Sequence, residues 1–296
     1  MFNFLQQLRQ LQAQAMGINR RNIQLIYPHN RRRDFHLADD KITTKSVLNK
    51  AGIACAETYA IISSLADIPH TLEQLKVYRK IAIKPANGRG GGGIMILEQQ
   101  AIGSGNWQKG GRPISLAQIT KHLADILVGV YSLGSKDRVL VEYCIEPHTF
   151  FGEIYPAGVP DFRIILLKGE VIMSMLRVPT DRSDGKANLH QGGLGIGIDH
   201  QKGRLTKAYD GKSYYDHHPD NGNPINGRLI PLWEETVSLA IATAQAFPLE
   251  YLGIDIVLDA VLGPLIMEIN VRPGLGIQLV NGQGLKQAVQ SKFAIN

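Results

Sequence analysis

Residues 81–97 constrain this chain more than any other stretch. Ile81-Ala82-Ile83 is a short apolar run ending in Lys84, which reads as a buried strand that delivers one cation to its tip. Five glycines follow within the six positions Gly88–Gly93, and Ile94-Met95-Ile96-Leu97 reads as a second strand. With no Cβ in the way, such a loop can bring several backbone N–H groups close to an anion. A lysine at the strand tip beside a glycine nest suits a polyphosphate, so nucleotide binding is the first expectation; a ligand-free hairpin tip is the plain alternative. This is not a P-loop, because Lys84 precedes the glycines and no Gly-Lys-Ser/Thr opens a helix after them. The implied hairpin also differs from the strand–helix setting of a dinucleotide-binding glycine pattern.

A chain of 296 residues can hold one large domain or two to three subdomains around a sizeable core. Hydrophobic content of 44% with 20% charged residues is ordinary for a globular enzyme. The net charge of +6 points to anionic ligands, with visible excess in Arg20-Arg21 and Arg31-Arg32-Arg33. No nucleic-acid motif accompanies that excess, so no nucleic-acid partner is expected. Cys55 and Cys144 lie far apart in apolar contexts and read as core thiols rather than a disulfide. Phe2–Met16 is glutamine-rich and broken by Arg9, unlike a secretory signal, and no apolar run approaches the ~20 residues of a membrane helix. A cytoplasmic enzyme without membrane insertion is the expectation.

Phe4, Leu5, Leu8, Leu11 and Ala15 recur at helical spacing, and Asn22–Tyr27 reads as a strand. A helix capped by aspartate runs from Asp39-Asp40-Lys41 to Ala51, with Gly52 closing it. Thr71–Val77 and Ile119–Val130 read as helices, Gly103–Pro113 as a polar surface loop, and Arg138–Ile145 as a strand. Lys168-Gly169-Glu170 separates two strands, 162–167 and 171–176. Asp181–Ile230 lacks periodicity and reads as a long functional loop. Pro231–Phe247 reads as a helix, and Gly253–Asp259 with Pro264–Asn270 as a strand pair.

The lone acid Asp255 interrupts an apolar strand, and Glu268 and Asn270 are two apart, so their side chains leave one face. Antiparallel pairing through the 259–264 turn brings Asp255 near Glu268. Two carboxylates and an amide oxygen make a hard site suited to Mg²⁺. The alternative is a solvated acidic face, which the Ile, Val, Leu and Met neighbours argue against, since they would bury unpaired carboxylates. His190, His200, His217 and His218 have no zinc spacing and read as loop histidines.

At these residues the chain resembles the ATP-grasp enzymes, and within them the alpha-L-glutamate ligase-like proteins. The motifs occur in the family's order: Asp39–Lys41, the Ile81–Pro85 strand with its glycine loop, Val139–Tyr143, and Asp161–Arg163. Ala187–Gly193, Gly253–Asp255 and Met267–Gly274 complete the series, which covers roughly residues 34 to 285. The resemblance implies an α+β ATP-grasp fold: a short segment 1–40, a first subdomain 41–145 with the glycine loop, and a second subdomain 146–296 with the metal site.

The resemblance also assigns roles. Lys41 and Lys84 would meet the ATP phosphates, and Gly88, Gly90, Gly91 and Gly92 would fold over them. Glu142, Tyr143, Cys144 and Ile145 would form a hinge whose backbone reads adenine, and Asp161 would contact nucleotide. Asp255, Glu268 and Asn270 match the magnesium ligands, with Mn²⁺ as a substitute, while Arg163, Arg177 and Asn188 match residues at the reacting phosphate. The implied activity is carboxylate–amine ligation, glutamate addition included, on small-molecule or peptide substrates. Phosphotransfer to a small acceptor and nucleotide binding without turnover are the alternatives, and homo-oligomerisation is left open. Arg272 stands where related glutamate ligases often carry a small residue; it would bind a substrate anion or neutralise nearby acids.

Overall fold

The computed structural model of the chain describes residues 15–88, 90–183 and 185–293. These divide into two compact units. The smaller holds Asp40–Thr43 and Ala56–Ile145; the larger takes in the described residues before Asp40, Thr44–Cys55, and those from Glu146 onward.

In the smaller unit β1 (Thr58–Ile62), β2 (Lys80–Pro85), β3 (Met95–Gln99), β4 (Trp107–Lys109), β5 (Arg112–Pro113) and β6 (Val139–Tyr143) form one sheet. Its order is β1-β6-β2-β3-β4-β5, and every pairing is antiparallel. The helix Leu116–Leu127 begins at a capping box between Ser115 and Gln118. It buries Ile119, Leu123, Ile126 and Leu127, a stripe at helical spacing that joins Ile81, Ile83, Leu97, Trp107, Val139 and Val141 in the core. The expected loop Gly103–Pro113 contains β4 and β5 instead. Burial of Trp107, 2% exposed, draws that polar segment onto the sheet edge.

In the larger unit β7 (Asp161–Leu167), β8 (Glu170–Val178), β9 (Leu194–Asp199), β10 (Arg204–Tyr209), β11 (Tyr214–Tyr215), β12 (Tyr251–Asp259) and β13 (Gly263–Asn270) form a second antiparallel sheet. Its order is β11-β10-β9-β8-β7-β12-β13. β7 and β8 meet at Lys168-Gly169, both at positive φ (52° and 79°), as a tight two-residue hairpin demands. β12 lies between β7 and β13 and is buried at every position, which accounts for the apolar residues on both sides of Asp255. The helices Trp233–Ala246 and Leu285–Phe293 contribute Trp233, Ala240, Leu285 and Val289 to the same core.

Two further expectations change. Asn22–Tyr27 is helical, within a run over Ile18–His29 that includes a π turn at Asn22–Ile26. Arg21, Leu25 and Ile26 are buried while Ile23 and Tyr27 face solvent, so burial there follows helical spacing and not strand alternation. The 181–230 stretch contains β9, β10 and β11, whose Leu194, Ile196, Leu205 and Ala208 are fully buried. Residues 15–39 and Thr44–Cys55 belong with the larger unit. Hydrogen bonds explain this: Met16 N to Gln278 Oε1 (2.7 Å), Asn30 Nδ2 to Tyr251 O (2.7 Å) and Ile266 N to Ala54 O (2.9 Å). The expected helix at residues 4–11 lies outside the described residues. Among the described residues no helix is long and apolar enough to cross a membrane.

Candidate active site

β2 places Lys84 beside β6, where its Nζ forms a close ion pair with Glu142 Oε1, the two side chains 14% and 4% exposed. The helix Lys41–Lys50 starts at Asp40, whose Oδ1 accepts from Thr43 N at 2.8 Å. Burial disfavours the Asp40 charge, but that hydrogen bond and Arg138 (2.6 Å) hold its carboxyl below the usual range. Lys41 N donates to Ala86 O (3.2 Å) and Lys41 Nζ to Gly88 O (2.8 Å). Both expected phosphate lysines therefore lie at the foot of the glycine loop.

The loop needs its glycines for two different reasons. A Cβ on Gly88 would lie 2.2 Å from Pro85 Cγ, and one on Gly93 would lie 2.6 Å from the Tyr131 ring. Gly90, Gly91 and Gly93 also sit at φ of 60°, 76° and 76°. Asp137, which the sequence did not single out, anchors the base by accepting from Asn87 N (3.1 Å), Asn87 Nδ2 (2.9 Å) and Ser132 Oγ. Gly92 lies in the same turn. Of the residues expected to form the hinge, Tyr143 donates its N–H to Glu57 O (2.9 Å), Cys144 is a buried thiol, and Ile145 ends the smaller unit.

In the larger unit, register does the assembling. Asp161 faces Arg177 across β7–β8, and Asp255 faces Arg163 on one side and Glu268 on the other. Asp255, wholly buried, accepts from Arg163 Nε (2.7 Å) and Nη2 (2.6 Å), Arg177 Nη2 (2.8 Å) and Asn270 Nδ2 (3.1 Å). Arg177 Nε also donates to Asp161 Oδ1 at 2.6 Å. Burial works against every charge in this array. It pushes Asp161 up to about 6, with Asp255 adding to the rise against the pull of Arg177. Asp255 goes the other way, because Arg163 and Arg177 outweigh its burial and hold it below the usual carboxylate range. Arg177 stays firmly charged, since Asp161 and Asp255 overcome its desolvation.

Asn188 caps the short turn Leu189–Gln191, its Oδ1 accepting from His190 N at 3.1 Å. A Cβ on Gly274 would sit 3.9 Å from His190 Nε2 and 4.0 Å from Arg163 Nη1, so this turn and the Pro273-Gly274 segment approach Arg163 together. Arg272 lies with its guanidinium 4.7 Å above the Phe35 ring and 4.0 Å from Asp39. His218 is buried and stacks on Tyr155, and His200 accepts from Trp233 Nε1 through its carbonyl, both structural placements.

The donor chemistry fits a hard cation. Glu268, Asn270 and Asp255 offer carboxylate and amide oxygens on neighbouring strands. Among the described residues no group of three or more His, Cys, Asp and Glu gathers as an all-protein cage. Two carboxylates and an amide match the sparser set that magnesium takes when phosphates complete its shell. Asp255 already holds two arginines, so a cation there would share its carboxylate with them.

Residues 20–292 match the family described as sugar-transfer associated ATP-grasp. Among curated proteins the chain is similar to a probable alpha-L-glutamate ligase of Pseudoalteromonas translucida (strain TAC 125), 23% identical over 261 residues, covering 88% of this chain and 64% of that protein. The chain thus spans less than two thirds of that relative's length. Among solved structures it is similar to the biotin carboxylase beta-gamma-ATP complex from Campylobacter jejuni: TM-score 0.54, 14% identity, 87% of this chain and 46% of that one. It is also similar to an L-amino acid ligase from Bacillus licheniformis, with TM-score 0.51, 14% identity, 87% of this chain and 50% of that one. These two likenesses are of fold.

Proposed function

The chain belongs to the sugar-transfer associated ATP-grasp family, and from that premise we propose that it is an ATP-dependent carboxylate–amine ligase working through an acylphosphate. The observation that carries this reading is the buried Asp161–Arg177–Asp255–Arg163 array, with Glu268 and Asn270 on the adjoining strand. An enzyme that only positions and neutralises phosphates needs such an array of fixed charges.

In this reading a substrate carboxylate oxygen attacks the γ-phosphorus of ATP, the bond to the bridging oxygen breaks, and ADP leaves. The amine nitrogen then attacks the acyl carbon, the bond to the phosphate oxygen breaks, and the nitrogen gives up its proton as the amide forms. Lys84 and Lys41 hold phosphate oxygens under the Gly88–Gly93 loop, whose closure keeps water from the acylphosphate. Arg163 and Arg177, kept in place by Asp255 and Asp161, offset the charge on the transferred phosphoryl group. Asn188 orients the turn beside Arg163, and the 142–145 backbone receives adenine. Glu268, Asn270 and Asp255 would hold Mg²⁺ or Mn²⁺, which neutralises phosphate oxygens when bound. No protein nucleophile is required. We place the enzyme in the cytoplasm, with a small-molecule or peptide carboxylate and amine as substrates.

An assay of ADP release across carboxylates and amines, glutamate and amino sugars included, tests the proposal, with products read by mass spectrometry. Release only with both substrates, together with a new amide, is expected. Hydroxylamine should trap a hydroxamate when the carboxylate is present alone. A stable phosphorylated product, or binding without turnover, would replace this reading with phosphotransfer or regulation.

A further inference from the structure

Val271-Arg272-Pro273-Gly274 leads the chain away from Asn270, and this turn is held by a residue some 250 positions earlier. Arg21 is only 6% exposed. Its Nη1 donates to Pro273 O at 2.7 Å and its Nε to Asn22 Oδ1 at 3.1 Å. No carboxylate pairs with it in any ion pair among the described residues. Burial lowers its pKa, Tyr251 opposes that fall, and the nearby charge of Arg272 adds to it. A buried guanidinium without an acid is costly, and what it does here is grip one carbonyl of the turn.

The opposite side of the turn is equally constrained. β12 passes beneath Pro273 at Gly253, where a Cβ would lie 2.5 Å from Pro273 Cβ. Gly253 is the register partner of Asn270, and Asp255 that of Glu268. The proline is thus caught between the Arg21 guanidinium and the backbone of the strand that carries Asp255. Arg272 stacks on Phe35, from the same N-terminal segment as Arg21.

We propose that Arg21 is a positioning residue: by holding Pro273 O it fixes the 271–274 turn and keeps Glu268 and Asn270 aligned on Asp255. The proposal rests on the reading of those three side chains as the oxygen donors for magnesium. Arg21 itself touches no substrate.

The test compares wild type, Arg21→Met, Arg21→Lys and the surface control Arg20→Met. Binding of a non-hydrolysable ATP analogue is measured by calorimetry with and without Mg²⁺, beside hydrogen exchange at residues 271–276. Removing a group that orients metal ligands typically costs 10–100-fold in metal affinity or activity. Arg21→Met should therefore lose on the order of tenfold of the Mg²⁺-dependent gain, keep its metal-free affinity, and exchange faster at 271–276. Arg21→Lys, which retains an N–H donor, should recover most of the gain, and Arg20→Met should match wild type. Arg21→Gln serves the same comparison if the methionine variant does not fold. A full Mg²⁺ gain with unchanged exchange would overturn the proposal, as would equal losses with and without Mg²⁺. A wild type with no Mg²⁺ gain would instead overturn the metal reading, a failure seen before any variant is compared.

Discussion

Asp255 and Asp161 are two carboxylates sharing one arginine, yet their environments push them in opposite directions. Asp161 is raised from 3.8 to about 6, chiefly by burial. Between about pH 4 and 6 it is protonated in the folded chain and ionised in the unfolded one, so stability falls as pH rises through that window. Asp255 is held low, so it contributes stability above its unfolded value that is lost as pH falls. Asp161→Asn should therefore show a smaller loss of stability than wild type on going from pH of about 4.5 to 7, checked by urea midpoints at both values. Lys84 makes a different prediction. Its partner Glu142 is nearly inaccessible, and removing one member of a buried pair costs about 3–5 kcal/mol. Lys84→Ala should lose about 3 kcal/mol in urea unfolding together with most of its ATP affinity. Adding Glu142→Gln should restore part of the stability and none of the affinity, which calorimetry can separate. Unchanged ATP affinity in a folded Lys84→Ala protein would contradict the phosphate role.

At the scale of elements, turns decide more than strands. Lys168 sits at φ 52° in the β7–β8 turn, a conformation that asparagine tolerates better than lysine. Lys168→Asn should stabilise the fold by roughly 0.5–1 kcal/mol, read from the urea midpoint, without altering turnover. The glycine loop predicts the opposite sign. Gly88→Ala drives a Cβ into Pro85, and Gly93→Ala drives one into the Tyr131 ring at an unfavourable φ. Both should reduce turnover more than ADP affinity, because in the proposed mechanism the loop meets the outer phosphates. Equal losses in the two quantities would mean that the substitutions disturb the whole smaller unit.

For the whole molecule, what could be read in advance follows from how local the signal is. The hairpins 161–178 and 251–270 were legible because short turns and apolar runs fix their register nearby. β4, β5 and β9–β11 were not, because short polar and glycine-rich stretches become strands only when Trp107, Leu205 or Ala208 finds a core to enter. Ile23, Leu25 and Tyr27 alternate like a strand, yet packing of Leu25 and Ile26 makes the segment helical. In the candidate site, Asp255 and Glu268 could be paired from the sequence because one turn joins their strands. The clamp of Arg163 and Arg177 on Asp255 could not, since it arises from β7 lying between β8 and β12. Arg21, about 250 residues from the turn that it holds, left no signal beyond a basic dipeptide. All of these parts serve one claim, that a carboxylate oxygen is phosphorylated and then displaced by an amine. Oxygen-18 in the carboxylate that supports turnover tests it most directly. The account predicts one labelled oxygen in the inorganic phosphate for each amide formed; phosphate released without label, at full amide yield, would contradict it.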